Sequence, residues 1–210
     1  MSRPPLSRQR VIDAASRVAD ASGLAGVSMR SVGRELGVEA MSLYHHVANK
    51  DALLDGLADW VFEQVVTPST GPWRAEMEAR ALSARGVLAA HPWGLGLLES
   101  RRSPGPATLG HHDAVLGCLR GAGFSVVLAA HAFSVLDAYT YGFVLTEVNL
   151  PFEPGESTED FVAGIEVALG DFPHLAEMVA EQVVGRDYAY ADEFEYGLTL
   201  VLDGIEARIG

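Results

Sequence analysis

The stretch at residues 28–50 constrains the fold of this chain more than any other part of the sequence. Ser28 is a favoured N-cap residue, and Val32 and Leu36 recur one helical turn apart, which predicts a helix with one apolar face. Gly37 directly follows the last apolar position, where a residue in the left-handed conformation can end the helix. A second short helix is predicted at residues 40–46. Two short helices joined by a glycine-containing turn are typical of a helix-turn-helix.

The second helix of this pair carries polar and aromatic groups on its predicted exposed side, at Ser42, Tyr44, His45 and His46. In a helix-turn-helix the second helix enters the major groove of DNA. Lys50 follows a predicted N-cap residue, so a bound phosphate would meet an ammonium group as well as free backbone N–H groups. A helical hairpin that binds no DNA is the alternative. It does not explain why hydroxyl, phenol, imidazole and ammonium groups share one tip.

Residues 6–57 resemble the DNA-binding domain of the Tet repressor family of transcription regulators. The matching residues are Val11, Ala14-Ala15, Gly23-Leu24, Gly26, the segment 28–38, Ser42-Leu43-Tyr44-His45-His46-Val47, Asn49-Lys50 and Leu53-Leu54. Carried over position by position, the resemblance implies a DNA-facing set of Met29, Arg30, Ala40, Met41, Ser42, Tyr44, His45, His46 and Lys50.

The residue types in this set indicate different roles. Arg30 is suited to a bidentate contact with guanine, the commonest specific contact. Tyr44 and Lys50, together with Ser42 and His45, are expected to position the protein on the DNA backbone. The chain departs from the tetracycline repressors at Ala40 and Met41, which cannot make a bidentate amide contact to adenine. We therefore expect an apolar contact to a thymine methyl group and a different operator sequence.

Charge is divided unevenly along the chain. The formal net charge is −13. Residues 1–50 nevertheless contain seven basic and four acidic side chains, whereas the remaining residues contain eight basic and 24 acidic ones. A basic segment followed by an acidic one is the distribution expected when only the first meets phosphate. Acidic surfaces are also common in proteins that bind no nucleic acid.

The hydrophobic periodicity predicts helices along the whole chain, so the expected fold class is all-α. We expect a three-helix DNA-binding head with the helix-turn-helix at residues 1–66, and a helical ligand-binding and dimerisation body at residues 67–210. The turn-forming sequence TPSTGP at residues 67–72 marks the boundary. Further helices are predicted at residues 7–22, 49–66, 73–90, 93–98, 107–121, 124–149, 158–169, 173–184 and 191–209, with an exposed loop at 151–157.

Two of the predicted helices have more apolar surface than one subunit can cover. One begins at Phe124 and ends at Asn149, and the other begins at Ala191 and ends at Ile209. A two-fold four-helix bundle between identical chains would bury that surface. The last helix also resembles that of the tetracycline-repressor type of C-terminal domain. This resemblance implies a homodimer through both helices, a palindromic operator and a ligand pocket in each body.

The predicted effector is an organic molecule of moderate size in a mostly apolar pocket. The expected lining residues are Trp93, Leu97, Leu116, Ala130, Phe133, Asp137 and Tyr141. Asp137 is the candidate polar anchor, since a carboxylate in so apolar a helix needs a partner. Such an anchor favours a cationic or hydroxyl-bearing ligand. Pairing with a histidine or arginine of the body, or capping the dimer interface, is the alternative reading.

No metal or cofactor is expected. In the tetracycline repressors a histidine and a glutamate help to hold a magnesium–drug complex, and the matching positions here are Thr108 and Thr146. Neutral hydroxyl groups are poor substitutes for those ligands. His111, His112 and Glu147 lie nearby and keep metal binding conceivable.

Catalysis is not expected either, because no nucleophile is placed with a base near His111-His112-Asp113 or near Glu99 and the Arg101-Arg102 pair. The alternative function is a dimeric small-molecule-binding protein that no longer binds DNA. The single cysteine, Cys118, permits no intrachain disulfide, and the N-terminus lacks an apolar signal region. Asp137 interrupts the longest apolar run, which argues against a membrane span. We therefore expect a cytoplasmic protein.

Overall fold

The computed structural model describes residues 4–101, 103–151, 158, 160, 162–164, 170–186 and 188–209. Helices account for the regular structure in this described part, in agreement with the predicted all-α class. The head contains α1 (Arg8–Gly26), α2 (Met29–Leu36), α3 (Ala40–Leu43) and the start of α4 (Lys50–Gln64). The body contains α5 (Trp73–Ala90), α6 (Trp93–Ser100), α7 (Pro106–Gly121), α8 (Val126–Glu147), α9 (Pro173–Gln182), a 3₁₀ turn (Tyr190–Asp192) and α10 (Glu193–Glu206).

The ends of the head helices follow local sequence signals. Ser28 and Ser31 form a reciprocal capping box, in which each hydroxyl accepts the other residue's backbone N–H, at 3.0 and 2.9 Å. The Asn49 side chain accepts the backbone N–H of Ala52 at 2.8 Å and begins α4. α1 is interrupted at Gly23, whose φ is 64°. The cap positions predicted from the sequence are therefore confirmed.

Two apolar cores hold the molecule together. The first is built from α1 to α4, but it also contains Leu88, Trp93, Leu97 and Val144 of the body. The second lies within the body, between α5, α7, α8 and α10, and includes the fully buried Phe124 and Phe194. Burial of apolar surface on this scale is the main stabilising contribution to such a helical fold. The head therefore shares its interior with the body.

Polar contacts also join head and body. Asp20 of α1 accepts hydrogen bonds from Trp93 Nε1 at 2.6 Å and lies 2.7 Å from His91 Nδ1. Trp60 of α4 packs edge-on against His91, with 5.0 Å between ring centroids. Further along α4, Asp55 is ion-paired with Arg101 at 2.6 Å. These contacts attach α1 and α4 to α6 and to the residues directly before and after it.

Several boundaries differ from those predicted. α3 ends at Leu43, and residues 44–46 form turns in which the His46 N–H bonds to the Leu43 carbonyl at 2.9 Å. α8 and α10 are shorter at both ends than the predicted helices. The predicted helix at 158–169 and loop at 151–157 lie largely outside the described residues.

α8 is long and apolar enough to cross a membrane by length and composition alone. It nevertheless carries Asp137, ion-paired with Arg80 of α5 at 2.5 Å. It also packs against α5, α7 and α10. An ionised pair near the middle of a helix costs free energy in lipid. We therefore interpret α8 as a helix of the body.

Candidate DNA-binding tip and ligand cavity

The turn between α2 and α3 depends on two glycines. A Cβ at Gly33 would lie 2.9 Å from the Val38 carbonyl oxygen, so any side chain there would push α3 away from α2. Gly37 adopts a left-handed conformation with φ 63°, which glycine tolerates without strain. Its backbone N–H donates a hydrogen bond to the Arg34 carbonyl at 3.0 Å, and α2 ends there. These features produce the tight angle of a helix-turn-helix.

Most of the predicted DNA-facing side chains lie on the surface of this tip. Met41 is 74% exposed, the highest value among the large hydrophobic side chains described, and Tyr44 is 47% exposed. Arg30, His45 and Lys50 are also exposed, whereas Ser42, His46 and Ala40 are half-buried. The chemical groups expected to meet a duplex are thus presented together.

Met29 is an exception among the predicted DNA-facing residues. Its side chain is only 8% exposed and belongs to the core of the head. As the first residue of α2, it points inward on the same face as Val32 and Leu36. The structure therefore removes its side chain from the DNA-facing set.

Two adjoining cavities lie in the body and share Phe133, Asp137 and Tyr141. The larger, of about 660 Å³, opens between α6 and α8 and is also lined by Leu95, Gly96, Ser134, Ala138, Gly142 and Leu145. The inner one, of about 350 Å³, reaches α4 and the α6–α7 turn and is also lined by Ala58, Phe62, Leu97, Leu98, Arg101, Ser103, Pro104, Gly105, Thr108 and His112. Cavities of this size and mostly apolar lining accommodate small organic molecules.

Arg80 organises the charged groups behind the shared wall. Its guanidinium is 2% exposed and contacts Asp137 Oδ1 through Nη2 at 2.5 Å. Its Nε–H donates to His111 Nε2 at 2.9 Å. The Tyr141 hydroxyl approaches the other oxygen of Asp137 at 3.4 Å. A carboxylate in an apolar helix needs a partner, and Asp137 has one in Arg80. Pairing with an arginine of the body was the alternative to the ligand-anchor role that the sequence left open.

Burial controls the protonation of the two adjacent histidines. It lowers the pKa of His111 to about 4, with a further contribution from the Arg80 charge. Burial and Arg80 also lower the pKa of His112, against an opposing effect of Asp137. Both rings are therefore neutral at pH 7. Because His111 Nε2 accepts from Arg80, its proton lies on Nδ1, a buried atom without a partner in the described part of the chain.

Three predicted lining residues lie away from these two cavities. Trp93 is buried against the head, where it bonds to Asp20. Leu116 is 36% exposed, because α7 turns Thr108, His111, Val115 and Leu119 inward instead. Ala130 is exposed on α8. Leu97, Phe133, Asp137 and Tyr141 do line the cavities.

Sequence reasoning missed Arg80. The signal was its position on α5, on the same face as the buried Met77, Ala81 and Ala84. A cation on an apolar face at helical spacing indicates a buried partner. Asp137 is that partner, but it lies on a helix far from Arg80 in the chain, so the sequence pattern did not reveal the pairing.

Thr108 and Thr146, at the positions that match the metal-binding residues of the tetracycline repressors, form other hydrogen bonds. Thr108 donates through its hydroxyl to Asp59 Oδ1 at 3.0 Å, and Thr146 donates to the Gly142 carbonyl at 3.1 Å. Asp59 also accepts the Thr108 backbone N–H at 2.7 Å, which caps α7 from α4. In the described segments, no group of three or more potential metal-binding side chains lies together.

An apolar face on α8 and α10 remains exposed in the single chain. Val127 and Val135 of α8 are 65% and 48% exposed, and Tyr196 and Leu200 of α10 are 68% and 56% exposed. A groove of about 370 Å³ runs between these helices. Contiguous exposed apolar side chains on two neighbouring helices are typical of a protein–protein interface.

Two family models match the chain. Residues 11–57 match the bacterial regulatory proteins of the tetR family, and residues 67–209 match the tetracyclin repressor-like C-terminal domain.

Individual relatives match along almost the whole length. The HTH-type transcriptional repressor DrrR1 of Streptomyces coeruleorubidus is 33% identical, over 99% of this chain and 80% of its own. The tetracycline repressor protein class C of Escherichia coli is 31% identical, over 96% of this chain and 91% of its own. ActR from Streptomyces coelicolor, solved in complex with actinorhodin, has a TM-score of 0.78 at 27% identity and covers 99% of this chain and 100% of its own.

The exposed helix-turn-helix and the cavity-bearing body define a DNA-binding transcriptional regulator rather than an enzyme. The chain belongs to the tetR family of bacterial regulators, with a tetracycline repressor-like C-terminal domain.

Proposed function

We propose that this regulator is a repressor that a small organic effector releases from its operator. The observation that carries the proposal is the position of α4. This helix begins at Lys50 beside the DNA-binding tip, and its Ala58 and Phe62 line the inner cavity. A ligand in that cavity would therefore contact the same helix that supports the tip, and could favour one orientation of the head over another.

The relatives support both halves of this proposal. DrrR1 and the class C tetracycline repressor are named as repressors, and ActR has been crystallised with actinorhodin. Our assignment of a ligand site to this chain uses its own cavity residues Leu97, Phe133, Asp137 and Tyr141. The effector is organic and needs no metal, because Thr108 and Thr146 are poor metal ligands.

At the operator, we assign base contacts to Arg30 and Met41 and backbone contacts to Tyr44, His45 and Lys50. Arg30 is suited to guanine and Met41 to a thymine methyl group. The half-buried Ala40, Ser42 and His46 complete the tip. A regulator of this kind works in the cytoplasm, where it meets the chromosome.

The working unit that we propose is a homodimer through α8 and α10. The exposed apolar face on these helices needs a cover, and a second copy supplies an identical one. Two heads related by a two-fold axis would face half-sites about 34–36 Å apart, so the operator is expected to be a palindrome.

A mobility-shift titration on the promoter of the protein's own gene tests this function. We expect a shift that is stronger than on a scrambled duplex of equal length and weakens as salt rises. Absence of binding at low salt by the folded dimer would favour the alternative of a ligand-binding protein that no longer recognises DNA.

A further inference from the structure

We propose that the effector is an uncharged aromatic molecule carrying a hydroxyl group, and that Asp137 and His112 hold this hydroxyl in the inner cavity. The inference rests on the proposed function of the cavity as the effector site. It narrows the sequence-based expectation, which allowed a cationic ligand as well.

The charge of Asp137 is already compensated. Its partner Arg80 is 2% exposed and lies 2.5 Å away, so the pair is close to neutral as seen from the cavity. An ammonium ligand would lose its hydration on entry and would meet the Arg80 charge behind the carboxylate. A cationic effector is therefore disfavoured, although a lone carboxylate would have attracted one.

The one cationic side chain that lines either described cavity is also compensated. Arg101 is paired with Asp55 at 2.6 Å and lies 3.7 Å from Asp51. An anionic ligand would have to compete with these carboxylates for Arg101, and the compensated Arg80–Asp137 pair adds no attraction for it. His112 does not change this balance, because burial keeps its ring neutral. The residues that line the two cavities thus present no uncompensated charge that would attract a charged ligand.

Hydrogen-bonding capacity remains at the same wall. A carboxylate has about four acceptor sites, and Asp137 uses Oδ1 for Arg80 while Tyr141 approaches Oδ2 only at 3.4 Å. The neutral ring of His112 offers one donor and one acceptor. No described side chain hydrogen-bonds to it, and its described contacts are with rings. A ligand hydroxyl can donate to the carboxylate and accept from the imidazole.

Aromatic side chains surround this polar edge. Phe133 and Tyr141 line both cavities and Phe62 lines the inner one. Phe133 packs against His112 with 5.0 Å between ring centroids. Rings at such walls favour a flat aromatic ligand through offset or edge-on contacts.

The test uses four probes that share one ring system, namely 2-naphthol, naphthalene, naphthalene-2-carboxylate and 2-naphthylmethylammonium. Their affinities for the full-length protein are measured at pH 7 by ligand-observed NMR. We expect 2-naphthol to bind about three- to tenfold more tightly than naphthalene, as one or two net hydrogen bonds imply. Both charged probes should bind more weakly than naphthalene.

Two variants test which side chains cause the preference for 2-naphthol over naphthalene. Asp137→Asn is unsuitable alone because it leaves Arg80 buried and unpaired. The double variant Arg80→Met/Asp137→Leu removes both charges, and we expect it to reduce the preference for 2-naphthol about threefold, because the His112 ring remains. His112→Phe keeps a ring and should reduce the preference for 2-naphthol about threefold. Circular dichroism verifies that each variant is folded.

Binding of either charged probe that is stronger than that of naphthalene, or a hydroxyl preference that is undiminished in the folded double variant, would overturn the inference. So would the absence of any bound probe in the folded wild type. DNA binding is measured separately. A hydroxyl preference without operator binding would leave the inference standing and contradict the proposed function, and operator binding without the preference would do the reverse.

Discussion

Arg80 carries a positive charge into the interior of the body, and its neighbours determine how that charge is tolerated. Asp137 compensates it, and His111 accepts its Nε–H as a neutral ring. Protonation of His111 would place a second positive charge against Arg80 in a buried site. The ionisation of one side chain is thereby linked to the stability of the whole fold.

We expect this linkage to appear as a loss of stability in mild acid. His111 has a pKa of about 4 in the folded chain against an ordinary value of 6.5. The unfolded chain therefore binds more protons between these values, and the free energy of unfolding falls as pH decreases through that window. The contribution of His111 is up to about 3 kcal/mol. Urea unfolding at pH 7 and pH 4.5 measures it.

His111→Gln is the matched variant, because its amide oxygen can still accept from Arg80 but does not titrate. Its stability should depend less steeply on pH than that of the wild type. Equal slopes in both proteins would show that His111 is not the group responsible.

Substitutions in the tip should distinguish residues that contribute affinity for any DNA from residues that contribute preference for the operator sequence. Lys50→Ala and Tyr44→Ala are expected to weaken binding about equally on operator and scrambled duplexes, and Lys50→Ala should also lower the salt slope by about 1. Arg30→Ala should cost about 1–3 kcal/mol on the operator alone and relax the base preference. Fluorescence anisotropy on both duplexes distinguishes these outcomes.

The exposed body residue Arg186 provides the control, since Arg186→Ala should leave both affinities unchanged. Unaltered binding in all three tip variants would remove this surface from the DNA interface.

At the scale of elements, α7 depends on α4 for its beginning. Gly105 at its N-cap has no side chain to offer, and Asp59 of α4 accepts the Thr108 N–H and hydroxyl instead. A carboxylate at a helix N-terminus also interacts favourably with the helix dipole. The contact fixes the α6–α7 turn, which lines the inner cavity, against α4.

Gly105→Ala should break this contact. The added Cβ would lie 2.6 Å from Asp59 Oδ1, so the carboxylate must move and the cap is lost. We expect a loss of about 1–2 kcal/mol in the free energy of unfolding. Gly110→Ala is the control on the same helix, because its Cβ meets nothing within 4 Å. It should be neutral or stabilising by up to about 1 kcal/mol. Equal effects in denaturant titrations would exclude the steric explanation.

Helix positions were predictable where the signals are local. Trp73–Ala90 matches the predicted helix at both ends, because a turn precedes it and the His91-Pro92 pair follows. α3 was predicted too long, since periodicity does not separate a short helix from the turns that continue it. The cap that Asp59 gives to α7 joins distant residues, and no local pattern could reveal it. The domain boundary at residues 66–67 stays a prediction.

At the scale of the whole molecule, the exposed apolar face on α8 and α10 is the surface that we propose for dimerisation. The sequence predicted that these helices need a partner, but it could not show which of their apolar residues serve the core. Leu198 and Ile205 are 2% and 6% exposed and stabilise the subunit itself, whereas Leu200 is 56% exposed. Charged substitutions at the first two would unfold the chain and would not test the dimer.

Leu200→Glu is the informative change. Burying a carboxylate in the apolar interface should weaken dimerisation by about 2 kcal/mol or more while the subunit stays folded. Sedimentation velocity across a dilution series measures the shift toward monomer. Leu109→Glu, at a position 55% exposed on α7, should remain dimeric. An unchanged dimer in Leu200→Glu would place the interface on another surface.

The apolar core shared by head and body limits how segments of this regulator can be combined with segments of other regulators. Grafting its DNA-reading segment onto a foreign sensing segment at residue 66 would cut through a continuous interior. Leu88, Trp93, Leu97 and Val144 would lose the side chains against which they pack. A chimera that keeps its fold must therefore carry α6 and the adjoining ends of α5 and α8 with the head, or must redesign those contacts. The DNA-binding head and the effector-binding body of this chain therefore cannot be exchanged independently of each other.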